Sequence, residues 1–255
     1  MPLDRDSGIY YEVFGDAGPS LLLGFPIFAS MGDILGAAAT ATQKGFLAGL
    51  TDRYRVLLLD YPSIGQSRDT DPTQLTVDRV CADLLAVADA AGFRRFAYWG
   101  YSWGACVGYQ LALRTNRLTA LVMGGWPPLG GQYEDMLKAS EEQVDDPPPE
   151  VQVVLRSPAQ YAQWVAFYAS LQTFDDAPAA REVSIPRLAY AGANGDTTAG
   201  SFPIRNASIL EHKKAELENL GWQVALIADA THEDGLNPAK ILPAVQPFLE
   251  QHVQH

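Results

Sequence analysis

An α/β architecture is what this sequence of 255 residues predicts: a mostly parallel central sheet with helices on both faces, plus a helical cap. Three observations predict it. Short apolar runs that read as strands buried on both faces alternate with segments of helical period, the pattern of parallel strands joined by crossover helices. A serine stands at the centre of Gly100-Tyr101-Ser102-Trp103-Gly104, with an apolar run before it and a helical period after it. Between residues 127 and 184 the strand-like runs stop, and proline, acidic and aromatic side chains take over.

In chain order, residues 9–14 (IYYEVF) alternate as a strand and residues 15–19 (GDAGP) form a turn. The continuously apolar run 20–25 (SLLLGF) is a buried strand that Gly24-Phe25-Pro26 breaks at its C-terminal end. Residues 31–49, rich in alanine and glycine, read as a mobile or loosely helical segment that passes into a helix before Asp52. A second buried strand, 55–61 (RVLLLDY), runs into the tight loop Pro62-Ser63-Ile64-Gly65-Gln66-Ser67. Residues 74–91 place Leu75, Val80, Leu84, Val87 and Ala91 near helical spacing, and Gly92 stops that helix. Then come a strand at 96–100, a helix at 102–115 and a strand at 120–125. After the insertion, in which residues 161–171 are helix-like, a strand is expected at 186–192. A charged helix at 205–220, a last strand at 223–228 and a terminal helix at 238–253 complete the chain. This divides it into a core, residues 1–126 and 185–255, and a cap at 127–184.

Composition limits what such a protein does. A formal net charge of −12 would be repelled by phosphates, which argues against nucleic acid and against an anionic membrane surface. No apolar run approaches the ~18 residues of a membrane span, and the first residues lack a basic start and an apolar core. A cytoplasmic protein acting on a small molecule is the expectation. The two cysteines, Cys81 and Cys106, share no motif spacing and read as buried free thiols. No CxxC, HExxH or clustered histidine suggests a metal, and the glycines after the first apolar strand spell neither a dinucleotide nor a phosphate loop, so no cofactor is expected.

The chemistry is read from the strand ends. A serine on a sharp strand-to-helix turn has its hydroxyl pushed above the sheet edge, and the next amide, Trp103 N–H, falls at a helix N-terminus, where donors are unpaired and negative charge is favoured. The bland reading is a Gly/Ser loop opening an ordinary helix. A serine needs a base to take its proton and a carboxylate to orient that base. Of four histidines, His212 lies in a charged helix and His252 and His255 in the tail, which leaves His232 after the last strand. For the carboxylate, Asp196 is the only acid in Gly192-Ala193-Asn194-Gly195-Asp196-Thr197, with a surface turn as the alternative. Asp229, Glu233 and Asp234 read as solvated or as loop hydrogen-bonding groups. Phe25 N–H, after the first buried strand, is the candidate second oxyanion donor, against a plain Gly-Pro turn. The aromatics of the insertion, Tyr133, Tyr161, Trp164, Phe167, Tyr168 and Phe174, are pocket or core.

The order Ser, Asp, His on this scaffold, the GYSWG elbow and the loop from Asp60 to Ser67, which is similar to D-x-x-G-x-G-x-S, resemble the α/β-hydrolase family over nearly the whole chain. By that resemblance Ser102 is the nucleophile, His232 the general base and then acid, and Asp196 the orienting carboxylate. The amides of Phe25 and Trp103 form the oxyanion hole. Two positions depart from the pattern: Leu23 stands where the family usually has histidine, and Ser63 replaces the first glycine of the second loop. An aspartate nucleophile is disfavoured because the elbow carries Ser102. The implied activity is carboxylesterase-like hydrolysis of an ester, lactone or thioester of a small, largely apolar substrate. The alternative is a non-hydrolytic member: a lyase, a cofactor-free peroxidase or a ligand receptor.

Overall fold

The computed structural model describes residues 3–4, 7–24 and 26–254. The first half of the chain runs β1 (Tyr11–Phe14), β2 (Ser20–Leu23), α1 (Met31–Leu35), α2 (Ala37–Leu50), β3 (Arg55–Leu59), α3 (Val77–Ala90), β4 (Phe96–Tyr101), α4 (Trp103–Ala112) and β5 (Leu118–Gly124). Four helices follow without a strand between them: α5 (Tyr133–Gln143), α6 (Pro149–Gln152), α7 (Ala162–Ala169) and α8 (Asp176–Glu182). Then come β6 (Arg187–Asn194), β7 (Thr197–Ala199), β8 (Phe202–Ile204), α9 (Asn206–Asn219), β9 (Gln223–Thr231) and α10 (Pro238–His252).

Seven strands form one sheet in the order β1-β3-β2-β4-β5-β6-β9, with β1 antiparallel to β3 and every other pair parallel. All six residues of β4 are buried, as are most of β2, β3 and β5. Alternate residues of a strand point to opposite faces, so unbroken burial means that both faces of the sheet are covered. The chain order reverses around β2 and β4, which makes the C-terminal ends of those two strands the place where an open parallel sheet leaves a crevice.

Two stretches differ from the expectation. Residues 31–50 form two defined helices separated at Gly36, whose φ is 81°. Glycine weakens an isolated helix, but here the glycines are packing surface: a Cβ at Gly45 would come 2.6 Å from Pro238 Cγ, and one at Gly49 2.6 Å from Leu242 Cδ1. Close docking of α2 on α10, with Phe46, Leu47 and Leu50 buried, supplies what local propensity lacks. The second stretch is the hairpin β7–β8, two strands of three residues each. They are too short to show a period, and they follow directly on the loop that carries Asp196.

Candidate active site

Ser102 occupies the turn between β4 and α4 with φ 53° and ψ −122°, a left-handed conformation that a non-glycine residue holds only when its surroundings enforce it. Ser102 N–H donates to Gly124 O at 2.7 Å, and Ser102 O accepts from Ala105 N at 3.0 Å. Tyr98, wholly buried on β4, donates its hydroxyl to Gly104 O at 2.8 Å and ties the first turn of α4 back to the strand. The helix begins at Trp103, so the Trp103 amide stands at its N-terminus beside the serine, where sequence placed it.

His232 comes from the other end of the chain and meets this turn. Its Nε2 lies 3.1 Å from Ser102 Oγ. With Nε2 unprotonated, the serine hydroxyl donates to it, the geometry a general base requires. The histidine closes β9 and opens a single turn of 3₁₀ helix, 233–236. Asp234 braces that turn by accepting from Thr231 N at 2.9 Å and pairing with Lys240 at 2.8 Å, while Lys240 also donates to Asp229 O at 3.1 Å. Asp234 is thus a loop hydrogen-bonding residue, one of the roles read for it. Burial holds the His232 imidazole below its ordinary pKa, and the Glu233 carboxylate offsets this in part.

The sign of that shift gives a testable pH dependence. A base works when neutral, and a depressed pKa keeps it neutral further into acid. For any reaction that uses His232 as base, kcat/KM is expected to fall on acidification with a midpoint below the ordinary imidazole value of ~6.5. A pH–rate profile with its acid limb at or above that value would contradict the assignment.

Asp196 reaches the same rim by its backbone, since Asn194 pairs with Thr231, the residue before the histidine. Its exposed carboxylate is engaged elsewhere: Oδ1 accepts from Ser208 N at 2.9 Å and Oδ2 accepts from the Ser208 hydroxyl, in the first turn of α9. Among the described residues no hydrogen bond joins Asp196 to His232. Phe25, the expected second oxyanion donor, lies outside the described residues. Its neighbours are placed: Gly24 N–H donates to Trp99 O at 2.8 Å, and Leu23, where the related pattern has histidine, is buried at 3% exposure.

The second loop carries its own framework. Asp60, wholly buried, accepts from Ser30 N and Gln66 N, each at 2.9 Å, and burial raises its pKa. Ser63 keeps the left-handed backbone (φ 63°) of the glycine it stands for, and its hydroxyl accepts from Thr70 N at 2.9 Å.

A cleft of about 280 Å³ opens above Ser102 and Trp103. Helices α5, α6 and α7 and the segments between α6 and α7 wall it with Met136, Val151, Val154, Tyr161, Trp164 and Tyr168; Ser140, Gln143 and Thr198 are its polar side chains beside the serine. No Asp, Glu, Lys, Arg or His is among its described lining residues. Sequence singled out the aromatics of this set. It missed Met136, Ser140, Gln143 and the hairpin residues Thr198 and Ala199, because nothing in their spacing distinguishes a cleft wall from a helix core. Arg156 reaches from the same region to Asp69 and to the carbonyls of Gly65 and Ser67 on the Asp60 loop. Among the described residues, no group of three or more His, Cys, Asp or Glu side chains is placed to hold a metal ion, and no helix is long and apolar enough to cross a membrane. Cys81 and Cys106 are free and buried.

Comparison with known proteins agrees with this architecture. The α/β-hydrolase-fold family model matches residues 36–132, the stretch that contains the elbow. A putative carbamate hydrolase, RutD, from Stutzerimonas stutzeri is 28% identical over 174 residues, 67% of this chain and 63% of that protein. The aligned segments cover less than two thirds of the RutD proteins matched, 31% in the Enterobacter cloacae one. Among solved structures, the α/β-hydrolase MGS-M2 from a deep-sea metagenome library superposes with a TM-score of 0.71 at 14% identity, over 95% of this chain and 94% of that one. The enol-lactonase from Burkholderia xenovorans gives 0.68 at 18% identity, over 95% and 96%. With its seven-stranded, mostly parallel sheet, its elbow at Ser102, its family-model match over residues 36–132 and its likeness to solved structures, the chain has the α/β-hydrolase fold.

Proposed function

We propose that the protein is a serine hydrolase that cleaves an ester-type bond of a small, uncharged, largely apolar substrate through an acyl-enzyme on Ser102. The observation that carries this reading is the 3.1 Å approach of His232 Nε2 to Ser102 Oγ, beneath a cleft none of whose described lining residues is charged. In this reaction His232 takes the hydroxyl proton as Oγ bonds to the substrate carbonyl carbon, whose π electrons move onto oxygen. The amide of Trp103, and that of Phe25 from the loop after β2, are the donors assigned to the oxyanion; each is worth on the order of 3 kcal/mol in the transition state. Collapse breaks the bond to the leaving group, which leaves with the proton from His232. Water, deprotonated by the same imidazole, then hydrolyses the acyl-enzyme. The helices between β5 and β6 serve as the cap that holds the apolar part of the substrate. A carbamate presents the same kind of carbonyl, so the name carried by the RutD relatives fits the class.

The carboxylate of this reading is Asp196. To hold His232 Nδ1–H it exchanges its Ser208 partners for the imidazole, and a substitution separates the two jobs. Asparagine keeps an oxygen to accept from Ser208 N and an amide that can bond the Ser208 hydroxyl, but it carries no charge to stabilise an imidazolium. Asp196→Asn is therefore expected to keep its melting temperature and to lose at least ~100-fold in kcat. Unchanged kcat would restrict Asp196 to capping α9. The reading as a whole is tested by treating the protein with a fluorophosphonate, locating the adduct by peptide mass spectrometry, and assaying short-chain chromogenic esters. An adduct on Ser102 with ester turnover is expected; an adduct elsewhere, or none, would refute the nucleophile assignment.

A further inference from the structure

We propose that Tyr101, the residue before the nucleophile, is a positioning residue for the general base: its phenol clamps the backbone of His232 and thereby fixes the distance between base and serine. The proposal rests on the Ser102–His232 reading above and deepens it. The Tyr101 hydroxyl donates to the His232 carbonyl at 2.6 Å, and that carbonyl also accepts from Gly235 N at 3.1 Å. The phenol ring lies beside the imidazole, with centroids 5.1 Å apart and planes 43° apart.

Backbone from both sides is kept bare to admit this ring. A Cβ at Gly235, in the histidine turn, would lie 1.9 Å from Tyr101 Cζ; one at Gly125 would lie 2.7 Å from the same atom, and one at Gly124 2.5 Å from Cδ2. Tyr190 of β6 packs on the ring at 6.0 Å and is itself held by Trp99 Nε1, which donates to its hydroxyl at 3.1 Å. A phenylalanine would fill this space equally well, and only the hydroxyl reaches the carbonyl. Because Tyr101 and Ser102 are consecutive, the chain segment that aims Oγ also grips the histidine backbone. The elbow and the histidine turn are then one closed loop of covalent and hydrogen bonds. Asp196, bonded to Ser208, does not supply this restraint. The charged group that acts on the imidazole is Glu233 on its own turn; Asp234 of the same turn is paired with Lys240 of α10, and Asp196, beyond the end of β6, is engaged with Ser208.

The test is Tyr101→Phe in the full chain, compared with wild type on p-nitrophenyl butyrate across pH, with thermal unfolding in parallel. Losing one hydrogen bond that sets the reacting geometry is expected to lower kcat about tenfold with KM held within about twofold. The acid limb of kcat/KM should move upward, toward ~6.5, as the loosened turn admits water to a buried imidazole. The melting temperature should stay close to wild type because the ring remains. Unchanged kcat and midpoint would overturn the clamp, as would a fall in melting temperature alone, the mark of a purely structural hydroxyl. Wild-type protein that takes no fluorophosphonate at Ser102 would instead sink the underlying reading. A wild-type adduct together with an unaltered Tyr101→Phe sinks only the clamp.

Discussion

Ser102→Ala is expected to eliminate ester turnover and covalent labelling while leaving the protein folded. The substitution removes one oxygen whose hydrogen-bond partner is His232 Nε2, so the stability change is of the order of one hydrogen bond, ~1 kcal/mol. Alanine carries the same Cβ into the left-handed turn at φ 53°, so no new backbone strain arises. The rate, in contrast, loses its covalent route. Removing the serine of a triad costs ~10⁶-fold in kcat, and what remains is catalysis by oxyanion donors and binding alone. The measurement is a chromogenic ester assay alongside circular dichroism and thermal unfolding. Activity within tenfold of wild type in a folded Ser102→Ala protein would end the acyl-enzyme account.

Gly100→Ala should do the reverse and damage the fold itself. A Cβ at residue 100 would lie 2.2 Å from Gly104 O, 2.4 Å from Gly104 C and 2.8 Å from Ala105 N. All three are backbone atoms of the first turn of α4, and that turn cannot retreat while Tyr98 holds Gly104 O at 2.8 Å from inside the sheet. Overpacking against immovable backbone is expected to cost about 3 kcal/mol or more, a large share of a typical 5–15 kcal/mol total (roughly). For a chain of this size that is a fall of roughly 10 °C in melting temperature. Gly92→Ala is the control: its φ is 75°, but nothing lies within 4 Å of the added methyl, so only the conformational cost of about 1–2 kcal/mol for a side chain at positive φ remains. Equal melting temperatures for the two variants would show that the elbow is looser than its contacts imply.

The elbow and its histidine were legible in the sequence because each is dictated by local rules. Gly100 and Ser102 announce a strained turn between a strand and a helix, and His232 is the one histidine that follows a strand. The parallel sheet was legible for the same reason, since the apolar runs at 20–25, 55–61 and 96–100 are what double-sided burial requires. Asp196 was legible as a position but not as a contact. Whether its carboxylate turns to Ser208 or to an imidazole depends on how the β7–β8 hairpin and α9 leave the strand, and three-residue strands carry no periodic signal. Tyr101 was silent for a different reason. It fills a variable place in the elbow pattern, and its meaning lies in a carbonyl 131 residues away. Residues 31–50 were read too loosely, because glycine lowers helix propensity in isolation and raises packing quality only once α10 is known to lie against it.

That no ionic side chain is among the described residues lining the cleft bears on how a turnover would finish. Ester cleavage in water near neutrality leaves a carboxylate, and a carboxylate in a largely apolar cleft with no cation among its described lining residues loses hydration at a cost. The surrounding protein, at a net −12, adds repulsion. Once formed, an acid product would be driven toward bulk solvent by its own newly acquired charge, so the reaction would clear its site through the chemistry it had just completed.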